Sequence, residues 1–306
     1  MKQIQWAALI SLAAFMIPAQ MVAQSDNAGG QGRAIVTIVA KHNEVAPNIA
    51  QQDVKAKVNG KDAVIANWAP FKAPDDSLEL IILIDGGARN LGRQFEEIKS
   101  FVQGLGPHAK VGVGYMQNGR AVLSAPLTAD HAQAAGQLHL PAGPSSNPYF
   151  SLSDLAQRWP SQDRHARREV ILLSDGVDPN NRRFDPDDPY VVSAVHDAVR
   201  AGIVVYTIYW RSHFEGGDGS LVQTGGESLL RELTDATGGY NYWSGTDNPV
   251  SFQPFFEDLM HRLASQYELD FTARLDHKPE IQAFRLKVEG LSLQVTSPQQ
   301  VYVDRH

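Results

Sequence analysis

The 306-residue chain contains no cysteine, which excludes a disulfide framework, a cysteine nucleophile and a lipid anchor on an N-terminal cysteine. Beyond its first two dozen residues it has no long apolar run, so no membrane span is expected in the mature chain. Gly-x-Ser-x-Gly and His-Glu-x-x-His are both missing, and the ten histidines are scattered without a pair at helical metal-binding spacing. Positive charge is not in excess either. With 27 Lys and Arg against 34 Asp and Glu the formal charge is -7, and residues 1–23 contain only Lys2, so their loss gives -7 - 1 = -8. Such a balance argues against a general binder of nucleic acid or anionic membranes.

At 43% hydrophobic and 20% charged, the chain has apolar material for one large domain and a smaller one. Residues 1–23 read as a secretory signal peptide: Lys2 precedes an apolar run from Trp6 to Pro18, and cleavage is expected after Ala23. An uncleaved N-terminal anchor is the rival reading, although the run is short for a span. The expected location is therefore exported, either periplasmic or secreted. Residues 24–32, rich in Gly, Asn, Ser and Gln, read as a flexible leader, with order beginning near Arg33.

Residues 34–40 and 54–58 have strand character, and Asn59-Gly60 before residues 63–66 signals a tight hairpin. From Ser77 strands alternate with helices. Residues 78–85 and 169–175 are branched apolar runs that end in Asp85-Gly86 and Asp175-Gly176, the form of a buried parallel strand that carries a carboxylate to the rim of a sheet. Residues 110–116 and 121–124 flank Asn118-Gly119, a second hairpin that places one antiparallel edge strand. Thr128 is expected to cap a short helix running to about Ala135 and stopped by Gly136. Residues 203–209 and 240–243 complete six strands, five parallel and one antiparallel. Helices are expected at residues 91–102, 152–159, 190–200 with Gly202 closing it, 229–236, and from Ser251 onward.

After Gln266 the apolar period returns to two. Neither that tail nor residues 33–72 holds enough strands for a core alone. The fold class is thus α/β, a doubly wound, mostly parallel six-stranded sheet over residues 77–265. It is expected to be inserted in a smaller β-sandwich-like domain built by residues 33–72 and 266–306 together.

The order of a strand ending in Asp85, a hairpin edge strand, a strand ending in Ser174-Asp175-Gly176, and Thr234-Asp-Ala-Thr-Gly-Gly239 before a short strand resembles a von Willebrand factor type A domain, a VWA/Rossmann-like architecture. Residues 54–61 and the Gln266-Tyr-Glu-Leu269 start of the tail are similar to bacterial secreted VWFA-related domain proteins. The resemblance implies a protein-binding module with a divalent cation, commonly Mg²⁺, at the C-terminal rim. That cation is held by an Asp-x-Ser-x-Ser loop, a threonine and a further aspartate.

Asp85 and Asp175 match the two aspartates and are the candidate metal ligands. Gly87 and Arg89 occupy the serine positions, and the threonine position falls near Tyr149. Glycine offers no side-chain oxygen and Arg89 brings positive charge, so the site reads as degenerate, with Arg89 as an internal counter-ion to the acids. Asn90, Ser145 or Ser146 are the substitute oxygen donors. Asp178, Asp185, Asp187 and Asp188 lack the spacing of a calcium loop, and Asp187 or Asp188 is expected to cap the next helix. The glycine-rich residues 214–220 lack the lysine of a phosphate loop.

The expectation is a non-enzymatic module that presents Asp85, Gly87, Arg89, Asn90, Tyr149 and Asp175 at the rim to a protein partner, without a required cofactor. Tyr149, Phe150, Tyr190 and Trp210 are its aromatic candidates. The alternative is a metal-dependent hydrolase that uses Asp85 and Asp175 as an acid/base pair.

Overall fold

In a computed structural model, the chain is described over residues 29–40, 48–88, 90–144, 147–212, 219–245, 247–275, 279–289 and 293–305. The expected signal peptide, the leader as far as residue 28, Arg89, Ser145, Ser146 and most of residues 214–220 lie outside the described residues.

The unbroken apolar run of β4 (Leu78–Asp85) is buried along its whole length, as a strand covered on both faces must be. It runs parallel to β5 (Lys110–Gln117) on one side and to β7 (Arg167–Ser174) on the other. Beyond β7 come β8 (Ile203–Tyr209) and the two-residue β9 (Asn241–Tyr242), both parallel. The other edge is β6 (Arg120–Thr128), antiparallel to β5 through Asn118-Gly119, whose φ angles of 52° and 73° are those of the expected hairpin turn. The sheet order is β6-β5-β4-β7-β8-β9.

One face of this sheet packs against α1 (Arg93–Gln103), α2 (His131–Gly136) and α6 (Gln253–Leu263), where Phe101 and Phe256 stack with centroids 4.3 Å apart. The other carries α3 (Pro148–Gln157), α4 (Pro189–Arg200) and α5 (Gly219–Thr237). Gly202 closes α4 at φ 67°. Two local expectations fail. Asp130, not Thr128, caps α2, because Thr128 belongs to the end of β6 and its hydroxyl accepts from the Asp130 N–H instead. Helix α5 also starts ten residues earlier than apolar periodicity suggests. Its first half is small and polar because it packs closely, as Gly225 against Phe184 and Gly226 against the Asp175 backbone.

The flanks supply β1 (Gly29–Ala40), β2 (Val54–Val58), β3 (Lys61–Pro70), β10 (Gln266–Arg274), β11 (Glu280–Val288), β12 (Leu293–Thr296) and β13 (Gln300–Val303). They form one antiparallel seven-stranded sheet of order β12-β1-β10-β3-β2-β11-β13, in which strands from before and after the α/β unit are interleaved. A Gln31–Asp304 bridge curls the sheet back on itself, so that Val36, Phe271, Phe284 and Val303 share its core. Order therefore begins earlier than Arg33. Gly30 and Gly32 lie within β1, and their lack of a side chain is steric, since a Cβ on Gly32 would overlap the Phe271 ring and one on Gly30 would overlap Val303.

Two connections join this sheet to the α/β unit, and fully buried Arg167, the first residue of β7, holds both. Its guanidinium donates to Pro74 O in the entering connection and to Leu263 O (3.1 Å) and Gln266 Oε1 (2.8 Å) in the leaving one.

Candidate functional site

Because β4 and β7 are adjacent and parallel, with Ile84 beside Leu173, their last residues meet at the C-terminal rim. Asp85 is 2% exposed and Asp175 is 5% exposed. The Ser174 hydroxyl donates to Asp85 Oδ2 (3.1 Å), and the Gly87 N–H donates to Asp85 Oδ1 (2.9 Å). The Val177 N–H donates to Asp175 Oδ1 (3.0 Å), and the Ser212 hydroxyl donates to Asp175 Oδ2. Burial pushes the Asp175 carboxyl above its ordinary range, opposed by these donors. Each acid is thus held by a backbone N–H of its own loop and by a serine hydroxyl from the end of the neighbouring strand.

Tyr149 lies against the same loop, but not as an exposed rim aromatic. It is fully buried, with its hydroxyl donating to Gly176 O (2.9 Å), and burial beside Asp175 and Asp178 holds that hydroxyl far above its usual range. The reason is helix geometry. Asn147 caps α3 by accepting from the Tyr149 and Phe150 N–H groups, and with Pro148 at the first position it turns Tyr149 inward and Phe150 outward. Trp210 is also buried, edge-on to Phe252, because it directly follows β8 beneath the start of α6. Phe150 and Tyr190 do reach solvent, 40% and 41% exposed, with ring centroids 4.2 Å apart at the starts of α3 and α4.

Of the remaining candidates, Gly87 serves through its N–H, and Asn90 is exposed in the turn after β4. Gly86 passes under residues 143–144, where a Cβ would lie 2.6 Å from Pro144 O. In the loop after β7, Asp178 is 1% exposed and accepts from the Asn180 N–H, Asp185 accepts from the Asp187 N–H, and Asp188 caps α4. Ser174 and Ser212, which satisfy the two rim acids, were not singled out by sequence pattern. Ser174 directly precedes Asp175 and could have been found as an inward residue of β7, whereas nothing local marks Ser212.

As a cation site the donor set fits poorly. Beyond the two carboxylates, Gly87 contributes no oxygen from a side chain, and the Tyr149 hydroxyl is turned inward onto Gly176 O. Among the described residues, no group of three or more Asp, Glu and His side chains is placed to hold a metal ion.

No family model matches the chain, and no curated protein matches it in sequence. Solved structures do resemble it. The conserved hypothetical protein BatB from Bacteroides thetaiotaomicron is 19% identical, with 61% of this chain and 97% of that chain covered and a TM-score of 0.44. The SpRpn10 VWA domain is 12% identical over 60% of this chain and 93% of that one, with a TM-score of 0.40. The pilus adhesin SpaC from Lactobacillus rhamnosus GG is 11% identical over 88% of this chain and 47% of that one, with a TM-score of 0.43. In its own strand order and in the rim positions of Asp85 and Asp175, the α/β unit here is VWA-like.

Proposed function

We propose that the protein is an exported, non-enzymatic module that binds a protein partner at the C-terminal rim of its VWA-like sheet, without a metal at Asp85 and Asp175. One observation carries this reading: the rim acids are buried and satisfied from within, while the neighbouring Phe150–Tyr190 pair is turned outward. An exposed aromatic pair offers large rigid contact area at small entropy cost, the usual anchor of an interface. Buried acids locked by internal donors make poor general acids or bases, since neither has a free approach to a substrate proton. The metal-dependent hydrolase is for that reason the weaker reading.

The test is proximity cross-linking of the full chain in its native compartment, with a photoreactive group at Asn90. The partner trapped by the wild type should be lost from Phe150→Ser/Tyr190→Ser while the thermal unfolding midpoint stays unchanged. Equal trapping by the folded double variant would refute the rim assignment.

A further inference from the structure

A groove of about 910 Å³ lies where the end of the six-stranded sheet meets the curled β-sheet. One face of α5 lines it with Glu227, Arg231, Thr234 and Asp235, and three strand segments line the rest: residues 239–241 beside β9, residues 283–286 of β11 and residues 294–299 around β12. Each of these is a consecutive run. A cavity that lies over the face of a strand touches alternate residues, whereas one that touches successive residues runs along the strand's edge. Three strand edges therefore look into one groove.

Two of these strands end their sheets, β9 in one and β12 in the other. The third is half paired. Strand β13 covers β11 only across residues 280–283, with a last bond from the Phe284 N–H to Gln299 O, while β2 covers the opposite side across residues 284–288. The bonding parity of β11 follows from its two ends. Phe284 donates toward β13, and Glu289 donates toward Asp53 on the β2 side, so even-numbered residues turn their backbone groups away from β2. Leu286 and Val288 thus direct N–H and C=O away from β2, and among the described residues no strand pairs with them on that side. Exposed Trp243 stands at the same groove.

A row of unpaired backbone donors and acceptors beside a groove has one natural complement, another extended backbone. We propose that this groove receives an extended peptide segment of a protein partner, which adds as a strand along the open edge of β11 and sets a side chain against Trp243. Neither rim acid nor the Phe150–Tyr190 pair takes part, so this surface stands or falls independently of the rim.

The experiment pans the full chain against random linear peptides about a dozen residues long, roughly two short strands. Selected peptides should lose affinity by about tenfold or more on Leu286→Pro, which removes the outward N–H but leaves the β2 ladder, and should keep it on Leu286→Val. Hydrogen exchange at Leu286 and Val288 should be fast in the free chain and slow with peptide bound. That second reading stands even where Leu286→Pro fails to fold. Failure to select any peptide, or undiminished binding to folded Leu286→Pro, would overturn the proposal. So would protection of the Leu286 amide in the free chain, which places the chain's own residues in the groove, or protection that grows with protein concentration alone, which places a second copy there.

Discussion

The Ser174 hydroxyl donates to Asp85 Oδ2 over 3.1 Å while accepting from the Gly176 N–H at 3.2 Å, so one side chain ties the ends of β4 and β7 together at the rim. Ser174 is 1% exposed, and solvent cannot readily replace what it supplies. Ser174→Ala withdraws a donor from a buried carboxylate and an acceptor from a buried N–H. The expected cost is about 1–3 kcal/mol of unfolding free energy. Urea denaturation measures it, and an unchanged midpoint would show that the tie contributes nothing.

Glu169 gives the protein a pH dependence of its own. It is fully buried in β7, neither carboxyl oxygen has a hydrogen-bond partner among the described residues, and the Arg167 guanidinium stays 3.8 Å away because it is engaged by the two connections. Burial pushes the carboxyl up to about 7, with the Arg167 charge opposing. The folded state therefore holds a proton that the unfolded chain releases near its ordinary value of 4.5, so stability falls as pH rises from about 4.5 to about 7 and levels off above. A shift of that size corresponds to roughly 3 kcal/mol. Glu169→Gln should flatten the profile of denaturation midpoint against pH in this window. A slope as steep as the wild type's would assign the dependence elsewhere.

The main sheet was legible because its signals are local. Continuous apolar runs ending in Asp85 and Asp175 mark strands covered on both faces, and Asn118-Gly119 marks the turn whose positive φ angles are found. What escaped depends on distant partners. Tyr149 and Phe150 are adjacent aromatics, and only the direction in which Asn147 and Pro148 launch α3 decides which one is buried. Gly30 and Gly32 resemble a leader by composition, yet they are small because Val303 and Phe271, more than two hundred residues away, pass over them. Ser212 reaches Asp175 from the end of a different strand, a pairing that no spacing announces.

Gly226 and Gly136 should respond to alanine in opposite directions. Both lie in helices, where replacing Gly by Ala favours the helix by about 1 kcal/mol. At Gly136 a Cβ meets nothing within 4 Å, so Gly136→Ala should gain a few tenths to about 1 kcal/mol. At Gly226 the Cβ would overlap Asp175 O, a backbone atom that cannot swing aside. Overpacking of about 1–3 kcal/mol or more then outweighs the helical gain, and Gly226→Ala should lower the thermal midpoint. Equal shifts in the two variants would mean that α5 does not press on the rim.

Calorimetric titration of the full chain with Mg²⁺, Mn²⁺ and Ca²⁺ tests the rim chemistry directly. A cation at Asp85 and Asp175 would have to use the second lone pairs of carboxylate oxygens that already accept from Ser174 and Gly87 on one acid and from Ser212 and Val177 on the other. It would then still need several more oxygens for a near-octahedral shell, with no side chain on Gly87 and with the Tyr149 hydroxyl committed to Gly176 O. With two carboxylates and few further side-chain oxygens the shell stays incomplete, and no saturable heat is expected in the micromolar range. Saturable heat that disappears in Asp175→Ala would overturn this expectation and restore the two acids as a cation site.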